Sequence, residues 1–394
     1  MILVWDQLMT PKEMLTNPTF CPIPWTGFMY NFDGKVKNCI RSVESMPLGY
    51  IQDNTIEQIL TGKENISRQE NICNKIPVSS CQTCYKVEQN KKSFDIISDR
   101  VFYIKELKNI STDTYYSNNF DLKTIDIRWT NLCNQSCVYC SPEFSSRWAD
   151  ELNIQQSTPA ELQLTNLKEY VFKHAAQLKH VYLAGGEPLL MKENLELLNL
   201  LNPDVNLRIN TNLSKVDTKV FDRICQFKNV HWIVSIESIE EEYEYIRHGG
   251  NWNNFLDNLN TIKKLNHKIS FNMLHFLLNY QTIFGCIDYL KNIGFYNNSF
   301  IIGPLLEPEH LNIRHLPDNV LQSVKETLVK RISEQPGYLL EDSYKNMLNY
   351  LDQPMVKDFA GSMEQLYILD QRRNLDSSKI FKDLYNIKEN YYGS

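Results

Sequence analysis

The sequence predicts an α/β protein built on an incomplete, open (β/α)6 barrel, with a small cysteine-rich segment before it and helices after it. Two observations lead to this prediction. Six short β-branched runs alternate with amphipathic helical stretches across the middle of the chain, and five of the ten cysteines fall in the segment 21–95, which has little periodicity. Alternating strands and helices favour βα units around a parallel sheet, and six repeats fit a partial barrel better than a complete eightfold one.

The strand candidates are residues 124–129, 180–183, 207–210, 231–236, 269–274 and 300–302. One of the intervening helical patterns places Phe255, Leu259 and Ile262 at the spacing of a single helix face. In sheets of this kind, the carboxyl ends of the strands carry the chemistry. Further helices are expected near 318–333, 341–352 and 362–370.

Composition limits the functional classes. The chain has 394 residues and a net charge of −6, so it offers no overall electrostatic attraction for nucleic acid or anionic membranes, and neither is expected as a partner. No stretch approaches the roughly 18 apolar residues of a membrane span, and no basic residue precedes the short apolar start. We therefore expect a soluble cytoplasmic protein. The predicted organisation is a leader arm over 1–20, a cysteine-rich domain over 21–110, the barrel over 120–312 and a helical extension over 313–394.

Three cysteines directly follow the first barrel strand, in the spacing C-x3-C-x2-C formed by Cys133, Cys137 and Cys140. Thiolates this close together can hold one small iron–sulfur cluster. Only three ligands are offered, which leaves one iron without a protein ligand, as in catalytic rather than structural metal centres. A zinc site completed by a distant ligand, or three unrelated buried thiols, are the alternatives.

This motif and its position resemble those of the radical S-adenosylmethionine (SAM) superfamily, over about residues 120–310. The resemblance implies a [4Fe–4S] cluster whose open iron chelates the methionine part of SAM. It also implies an electron from the cluster that cleaves SAM to methionine and a 5′-deoxyadenosyl radical, which abstracts hydrogen from a substrate. The cofactor supplies the difficult chemistry, and the protein supplies aim and the exclusion of water.

Other residues at strand ends are candidate SAM contacts. Gly185, Gly186, Glu187 and Pro188 follow the second strand and look like the motif that binds the methionine amine, although such a segment is also an ordinary tight turn. The remaining candidates lie at the ends of later strands or between the last two cysteines; they are Tyr139, Asn210, Thr211, Asn212, Ser235, Arg247 and Asn272. Each also has a structural alternative, such as a turn, an ion pair or packing against the barrel rim.

No catalytic acid or base is identifiable. Glu237 and Arg247 are weak catalytic candidates, because Glu237 shares a strand face with Ser235 and Arg247 offers a bidentate fork for a carboxylate. Gly303 is a weaker candidate by strand position alone. His310 and His315 flank a loop after the sixth strand and are possible substrate contacts or structural residues.

Cys21, Cys39, Cys81 and Cys84 form a second set. Gly34 lies in a favourable hairpin turn that would bring Cys21 and Cys39 together at its base, where the Cys81–Cys84 pair would complete a four-thiolate site. Such a site fits zinc or an iron–sulfur cluster. The pattern resembles the SPASM and twitch domains that carry auxiliary [4Fe–4S] clusters. Those domains usually follow the barrel, whereas this segment precedes it.

The other three cysteines are interpreted as bystanders. Cys73 is able to replace one N-terminal ligand but has no close partner in the sequence, while Cys225 and Cys286 fall on apolar helical patterns and are expected in the core.

The leading functional hypothesis is a radical SAM enzyme of oxidoreductase or lyase type that modifies a peptide or protein by oxidation or crosslinking. It would receive electrons from a donor such as flavodoxin or ferredoxin. The alternatives are a dehydrogenase of a sugar, nucleoside or small metabolite, and a non-catalytic protein in which zinc and cysteines stabilise an interaction module.

Overall fold

A computed structural model describes residues 16–89, 98–107, 120–155, 159–334 and 339–392. Residues 1–15 of the predicted leader arm (1–20) lie outside the described residues. The chain divides into two compact units. The first comprises Met1–Leu132, Gln155–Asn210 and Asp217–His231, and the second comprises Cys133–Ile154, Thr211–Val216 and Trp232–Ser394.

Nine strands occur in the described residues. They are β1 Gly27–Tyr30, β2 Lys35–Lys37, β3 Gly49–Tyr50, β4 Thr124–Ile127, β5 His180–Leu183, β6 Asn206–Thr211, β7 Asn229–Ser235, β8 Lys268–His275 and β9 Phe300–Pro304. In the first unit the order is β3-β2-β1-β4-β5-β6. Strands β1, β4, β5 and β6 are parallel, while β1–β2 and β2–β3 are antiparallel. In the second unit β8 and β9 are parallel.

Helices connect and follow the strands. Before β4 they are α1 Ile23–Thr26, α2 Ile56–Leu60, α3 Lys63–Cys73, α4 Gln82–Gln89 and α5 Asp99–Glu106. Between β4 and β9 they are α6 Ser146–Leu152, α7 Glu161–His174, α8 Lys192–Leu200, α9 Lys219–Ile224, α10 Glu240–Ile246, α11 Trp252–Lys263 and α12 Thr282–Asn292. After β9 they are α13 Asp318–Glu334, α14 Leu339–Leu351, α15 Phe359–Arg373, α16 Ser377–Ile380 and α17 Lys382–Tyr392.

The prediction of an α/β fold with a parallel sheet and a helical C-terminal region is confirmed. From β4 to β9 each of the six strands is followed by at least one helix, which is the repeat of a partial (β/α)6 barrel. The predicted strand bounds agree to within two residues at each end. Strand β4 ends at Ile127 rather than 129, because the loop that carries the first cysteine motif begins there. No helix in the described ranges is long and apolar enough to cross a membrane.

The two faces of the first unit's sheet differ in chemistry. Ile125, Ile127 and Val181 are at most 1% exposed and lie on the face that packs against α7, where the Phe28 and Tyr170 rings are 6.5 Å apart. Alternate residues point to opposite faces of a strand. Asp126 therefore lies on the other face, which is polar.

The hairpin β1–β2 closes at Gly34, where φ is +93° and the Gly34 N–H donates to the Asn31 carbonyl at 2.8 Å. A positive φ costs little for glycine and more for residues with a Cβ. The strands on either side are in register, with Tyr30 opposite Val36. This turn therefore sets the position of Cys39, which follows β2.

We expect Gly34→Ala to lower the free energy of unfolding by about 1–2 kcal/mol, since alanine is strained at this φ. A Cβ there would also displace the flexible end of Gln52, whose Oε1 would be 2.0 Å away. Gly285→Ala is the matched control, because its added Cβ meets nothing within 4 Å and alanine favours a helix interior. Thermal unfolding midpoints of the two variants test this; equal midpoints would contradict it.

Candidate active site and iron–sulfur ligands

The loop after β4 carries Cys133, Cys137 and Cys140, and its backbone is held by other segments of the second unit. The Ser136 N–H donates to the His248 carbonyl at 2.9 Å, and the Val138 N–H donates to the Ile246 carbonyl at 2.8 Å. These two bonds lie on either side of Cys137 and fix its backbone. These bonds therefore help to position the loop.

Helix α6 holds the loop from a second direction. The Ser145 hydroxyl donates to the Gln135 carbonyl at 2.7 Å and also caps the helix by accepting from the Trp148 N–H. The Trp148 indole N–H donates to the Cys137 carbonyl at 2.7 Å. The Arg373 guanidinium lies over the Trp148 ring at 4.4 Å and donates to the Ser136 carbonyl at 2.9 Å.

The thiols of Cys137 and Cys140 are harder to ionise than a free cysteine. Burial and the neighbouring Cys137 and Cys133 raise the pKa of Cys140 to about 12. Burial also raises the pKa of Cys137, against the opposing effect of Arg247. Mutual charge effects require the sulfurs to lie near one another. Thiols in this condition ionise only when positive charge is supplied, as by a bound metal.

Two side chains approach the sulfurs directly. The Asn212 amide N–H lies 3.8 Å from Cys133 Sγ and also donates to Asn134 Oδ1 at 3.1 Å. The Arg247 guanidinium lies 4.0 Å from Cys137 Sγ. Hydrogen bonds and positive charge at cluster sulfurs are ways in which proteins adjust a cluster's reduction potential.

Arg247 forms a buried bidentate ion pair with Glu237, at 2.7 Å and 2.8 Å. Burial raises the pKa of Glu237 while Arg247 opposes that shift, and the carboxylate raises the pKa of Arg247. The Tyr139 ring lies 5.8 Å from the guanidinium and packs edge-on against Phe276 at 5.7 Å. In this structure the fork of Arg247 is engaged by Glu237, and a role for either residue toward SAM or substrate stays a prediction.

The Gly-Gly-Glu-Pro segment lies against the chain just before the first cysteine motif. The Glu187 N–H donates to the Leu132 carbonyl at 2.7 Å, and the Glu187 carboxylate accepts from the Leu189 N–H at 3.1 Å. Gly185 has φ +118°. A Cβ on Gly186 would lie 2.2 Å from the Leu132 carbonyl oxygen, so the close approach of the two backbones requires glycine.

The remaining candidates lie on or next to the strands, and their surroundings differ. Asn210 is partly buried, and the buried Thr211 hydroxyl accepts from the Leu213 N–H at 2.8 Å, which is a turn contact. Ser235 is partly buried at the end of β7. Asn272 is exposed on β8, and at Gly303 a Cβ would meet nothing within 4 Å. Their predicted contacts with SAM stay predictions.

The N-terminal set is brought together in the first unit, where a single cavity is lined by Cys21, Cys39, Cys81 and Cys84. Burial and the charges of Cys81 and Cys84 raise the pKa of Cys39 to about 12. Burial, Cys81 and Cys39 raise the pKa of Cys21 well above its usual range. The four thiols therefore line one cavity, and their role as cluster ligands stays a prediction.

Three arginines surround these four thiols. Burial raises the pKa of Cys81, and Arg68 and Arg100 oppose that shift, while Arg41 interacts electrostatically with Cys84 and Cys39. Arg100 is fixed by Glu88 and by the Phe20 carbonyl, to which it donates at 2.8 Å. Sequence reasoning missed these residues. These arginines lie at different distances along the chain from the cysteines, so no spacing pattern in the sequence identifies them.

The cysteines and histidines outside the two cysteine sets lie mainly in apolar packing or in hydrogen bonds that support the fold. Cys73 packs with Cys81 against the apolar cluster of Phe20, Trp25, Ile72, Val78 and Ile104. Cys286 is fully buried, as expected, whereas Cys225 is only partly buried. His315 bridges the Glu309 carbonyl and the Asp358 N–H, which is a structural role. His310 is partly buried, and its pKa is lowered by burial and by His315.

Comparison with known families matches two segments. Residues 127–290 match the radical SAM superfamily, and residues 21–85 match the SPASM family, described as an iron–sulfur cluster-binding domain. The chain therefore contains a radical SAM domain preceded by a SPASM iron–sulfur cluster-binding domain. Each matched segment contains one of the two cysteine sets.

Two curated relatives cover parts of the chain. It is 38% identical over 78 residues to 7-carboxy-7-deazaguanine synthase of Clostridium acetobutylicum, across 20% of this chain and 31% of that protein. It is 27% identical over 176 residues to GTP 3′,8-cyclase of Sulfurimonas denitrificans, across 42% and 51%. The chain thus spans about a third and about half of the relatives' lengths.

Among solved structures, anSMEcpe with bound AdoMet matches with a TM-score of 0.39 at 16% identity, over 52% of this chain and 58% of that one. Streptococcus suis SuiB bound to its precursor peptide SuiA matches with a TM-score of 0.40 at 12% identity, over 72% and 64%. These TM-scores are too low to support a conclusion about function.

The two domains imply three bound groups: a [4Fe–4S] cluster with SAM for the radical SAM domain, and an auxiliary iron–sulfur cluster for the SPASM domain. The donor sets fit these groups. Each set consists of cysteine thiols gathered by neighbouring elements, the kind of ligand that iron–sulfur clusters require. Among the described residues, no group of three or more His, Cys, Asp or Glu side chains is arranged to hold a single metal ion.

We expect Gly186→Ala to weaken SAM binding strongly, because the added Cβ would collide with backbone oxygens of Leu132 and Asn131 that cannot rotate away. Equilibrium dialysis of SAM against the cluster-loaded protein measures the loss. Gly285→Ala is the matched control, since it adds the same group in open space on helix α12. Unchanged SAM affinity of the Gly186 variant would contradict the assignment of this loop.

We expect Arg41→Gln to lower the reduction potential of the auxiliary cluster, because it removes a positive charge close to Cys39 and Cys84. Arg41 is 57% exposed, and charges at such sites contribute roughly 0.2–1 kcal/mol, or about 10–40 mV for one electron. Arg41→Lys keeps the charge and should restore most of the potential. A redox titration followed by electron paramagnetic resonance measures all three proteins, and an unmoved potential in Arg41→Gln would argue against this role.

Proposed function

We propose that this protein is a radical SAM oxidoreductase that oxidises or crosslinks its substrate at an unactivated C–H bond. The observation that carries the proposal is the presence of two thiol sets of different size in two matched domains. Three thiolates, Cys133, Cys137 and Cys140, leave one iron of a [4Fe–4S] cluster open for SAM. The N-terminal set, whose first member is Cys21, offers four thiolates. Four are enough to ligate every iron of an auxiliary cluster.

When bound, the first cluster and SAM supply a 5′-deoxyadenosyl radical, through one-electron cleavage of the bond between sulfur and C5′ that releases methionine. The protein's own residues orient these groups. The backbone near Leu132 and Gly186 packs closely, which fixes the loop proposed to receive the methionine amine. The amide of Asn212 and the guanidinium of Arg247 hold the sulfurs of Cys133 and Cys137 in place.

The proposed outcome is oxidative. After a hydrogen atom is removed from a substrate carbon, loss of one further electron and one proton forms a double bond or a bond to a neighbouring atom. The four-thiolate site is suited to accept that electron, because Arg41, Arg68 and Arg100 stabilise added negative charge. An external donor such as flavodoxin or ferredoxin would supply the electron for SAM cleavage. We place the protein in the cytoplasm, where such donors keep clusters reduced.

We propose a peptide or protein as the substrate, the class that the resemblance to radical SAM proteins with an auxiliary cluster favours. A second candidate is a nucleoside or another small metabolite. It is favoured by the two curated relatives, which are named for reactions of a deazaguanine and of GTP. Their alignments cover only parts of both proteins, so the peptide assignment is placed first.

The test of the radical reaction is anaerobic reconstitution, reduction with dithionite and measurement of 5′-deoxyadenosine and methionine. The wild-type protein should cleave SAM, and Cys137→Ala should lose cleavage while the N-terminal iron remains. Cys225→Ala is the matched control, because Cys225 lies outside both sets, directly after α9, and its variant should keep iron and cleavage. Reduced wild-type protein that fails to cleave SAM, or loss of both irons in Cys137→Ala, would overturn the proposal.

The substrate class is tested separately, by adding cell extract to the reconstituted protein and measuring 5′-deoxyadenosine formation. Stimulation by the high-molecular-mass fraction that disappears after protease treatment supports a peptide or protein. Stimulation by the protease-resistant small-molecule fraction supports the second candidate. The Cys137→Ala protein provides the background in both arms.

A further inference from the structure

One row of side chains crosses the sheet of the first unit at a single register. Asp126 on β4 lies opposite Tyr182 on β5, which lies opposite Arg208 on β6. Residues paired in this way project from the same face of a sheet. This is the face opposite to α7, since Ile125 and Val181 occupy the α7 side. We call Asp126, Tyr182 and Arg208 the polar row.

The charges beside the polar row are paired, except that of Arg208. Lys37 bonds to Glu44 at 2.6 Å, and Arg128 bonds to Asp126 Oδ1 at 2.7 Å. In the described ranges, no carboxylate lies within ion-pair distance of Arg208. The polar row therefore keeps one positive charge that the described residues around it do not neutralise.

Two buried atoms in the polar row have no hydrogen-bond partner among the described residues. They are the Nε of Arg208 and the Oδ2 of Asp126. Asp126 is only 6% exposed. A buried donor or acceptor without a partner is unfavourable, so each atom is suited to a ligand that supplies the missing bond. The two residues interact electrostatically but are too far apart to bond each other directly.

Aromatic rings hold the Arg208 guanidinium in place. It lies 5.2 Å from the Tyr182 ring centre and 5.8 Å from that of Phe102 on α5. His180 does not alter the charge, because burial and Arg208 lower its pKa to about 4 and keep it neutral at neutral pH. Arg208 and Tyr182 are both partly exposed, so a ligand can reach these two side chains from solvent.

We propose that the polar row binds an oxyanion group of the substrate, a carboxylate or a phosphate. The fork of Arg208 donates to the oxyanion, since a planar guanidinium matches both groups in bidentate geometry. The Oδ2 of Asp126 accepts from a neighbouring hydroxyl, amine or amide of the same substrate, and Tyr182 supports the arginine. This inference rests on the proposed function for the existence of a substrate, but its test does not require SAM cleavage.

The experiment measures thermal unfolding of the cluster-loaded protein in acetate, inorganic phosphate or chloride at equal ionic strength. At least one oxyanion should stabilise wild-type protein over chloride, in a saturable manner, and Arg208→Gln should weaken the apparent affinity by about tenfold or more. Arg223→Gln is the matched control. Arg223, on α9, also lies over a phenyl ring, that of Phe227, but donates to Gln226 in the turn after the helix, and its variant should respond as wild type.

Chemical labelling of the wild-type protein provides a second measurement, which does not require the Arg208→Gln variant to fold. Phenylglyoxal modification of Arg208 in the wild-type protein, followed by mass spectrometry, should be slowed about tenfold by the effective oxyanion but not by chloride. Arg223 in the same sample should be labelled at a constant rate.

The arms of the experiment identify the group that is recognised. An effect of acetate alone assigns a carboxylate, and an effect of phosphate alone assigns a phosphate, as in a nucleotide. Absence of any specific stabilisation by either oxyanion, or stabilisation that persists in Arg208→Gln, overturns the inference. SAM cleavage is scored separately, so a protein that cleaves SAM without oxyanion binding retains the proposed function and loses only this site.

Discussion

The structure depends on one constraint, which is that cysteine sulfurs must ionise in places poor in water. Burial raises the pKa of Cys39 and of Cys140 to about 12, so neither site holds thiolates at neutral pH without added positive charge. Bound iron supplies most of that charge. The fold supplies the rest through arginines, which approach the N-terminal set from several elements and the C-x3-C-x2-C set through Arg247.

The same constraint explains why the cysteine loop is fixed by so many backbone bonds. A cluster ligated by three cysteines depends on the loop to keep its open iron aimed in one direction. The Trp148 indole holds the Cys137 carbonyl, and the segment at Gly186 packs on the Leu132 carbonyl just before Cys133. The loop is therefore oriented by hydrogen bonds that do not involve the sulfurs.

The sequence was sufficient for the features that depend on neighbouring residues. The spacing of the cysteines, the hairpin turn at Gly34 and the alternation of strands and helices are all local, and each agrees with the structure. Features that join distant segments were not predictable. Glu237 and Arg247 were both selected, yet their pairing arises only where the end of β7 meets the end of α10. Likewise, Arg208 joins the polar row only through the register of β5 and β6.

Strand pairing allows the SPASM domain to precede the barrel domain in the chain. Strand β1 belongs to the hairpin β1–β2. It pairs in parallel with β4, with Gly27 opposite Thr124. A Cβ at Gly27 would lie only 3.0 Å from the Thr124 side chain and carbonyl oxygen, so glycine permits the close contact. Hydrogen bonds along a sheet edge depend on register and not on the order of segments in the chain. A cysteine-rich hairpin can therefore join the edge at β4 from the N-terminal side, because the geometry that gathers its thiols is contained within the hairpin and its adjacent helices.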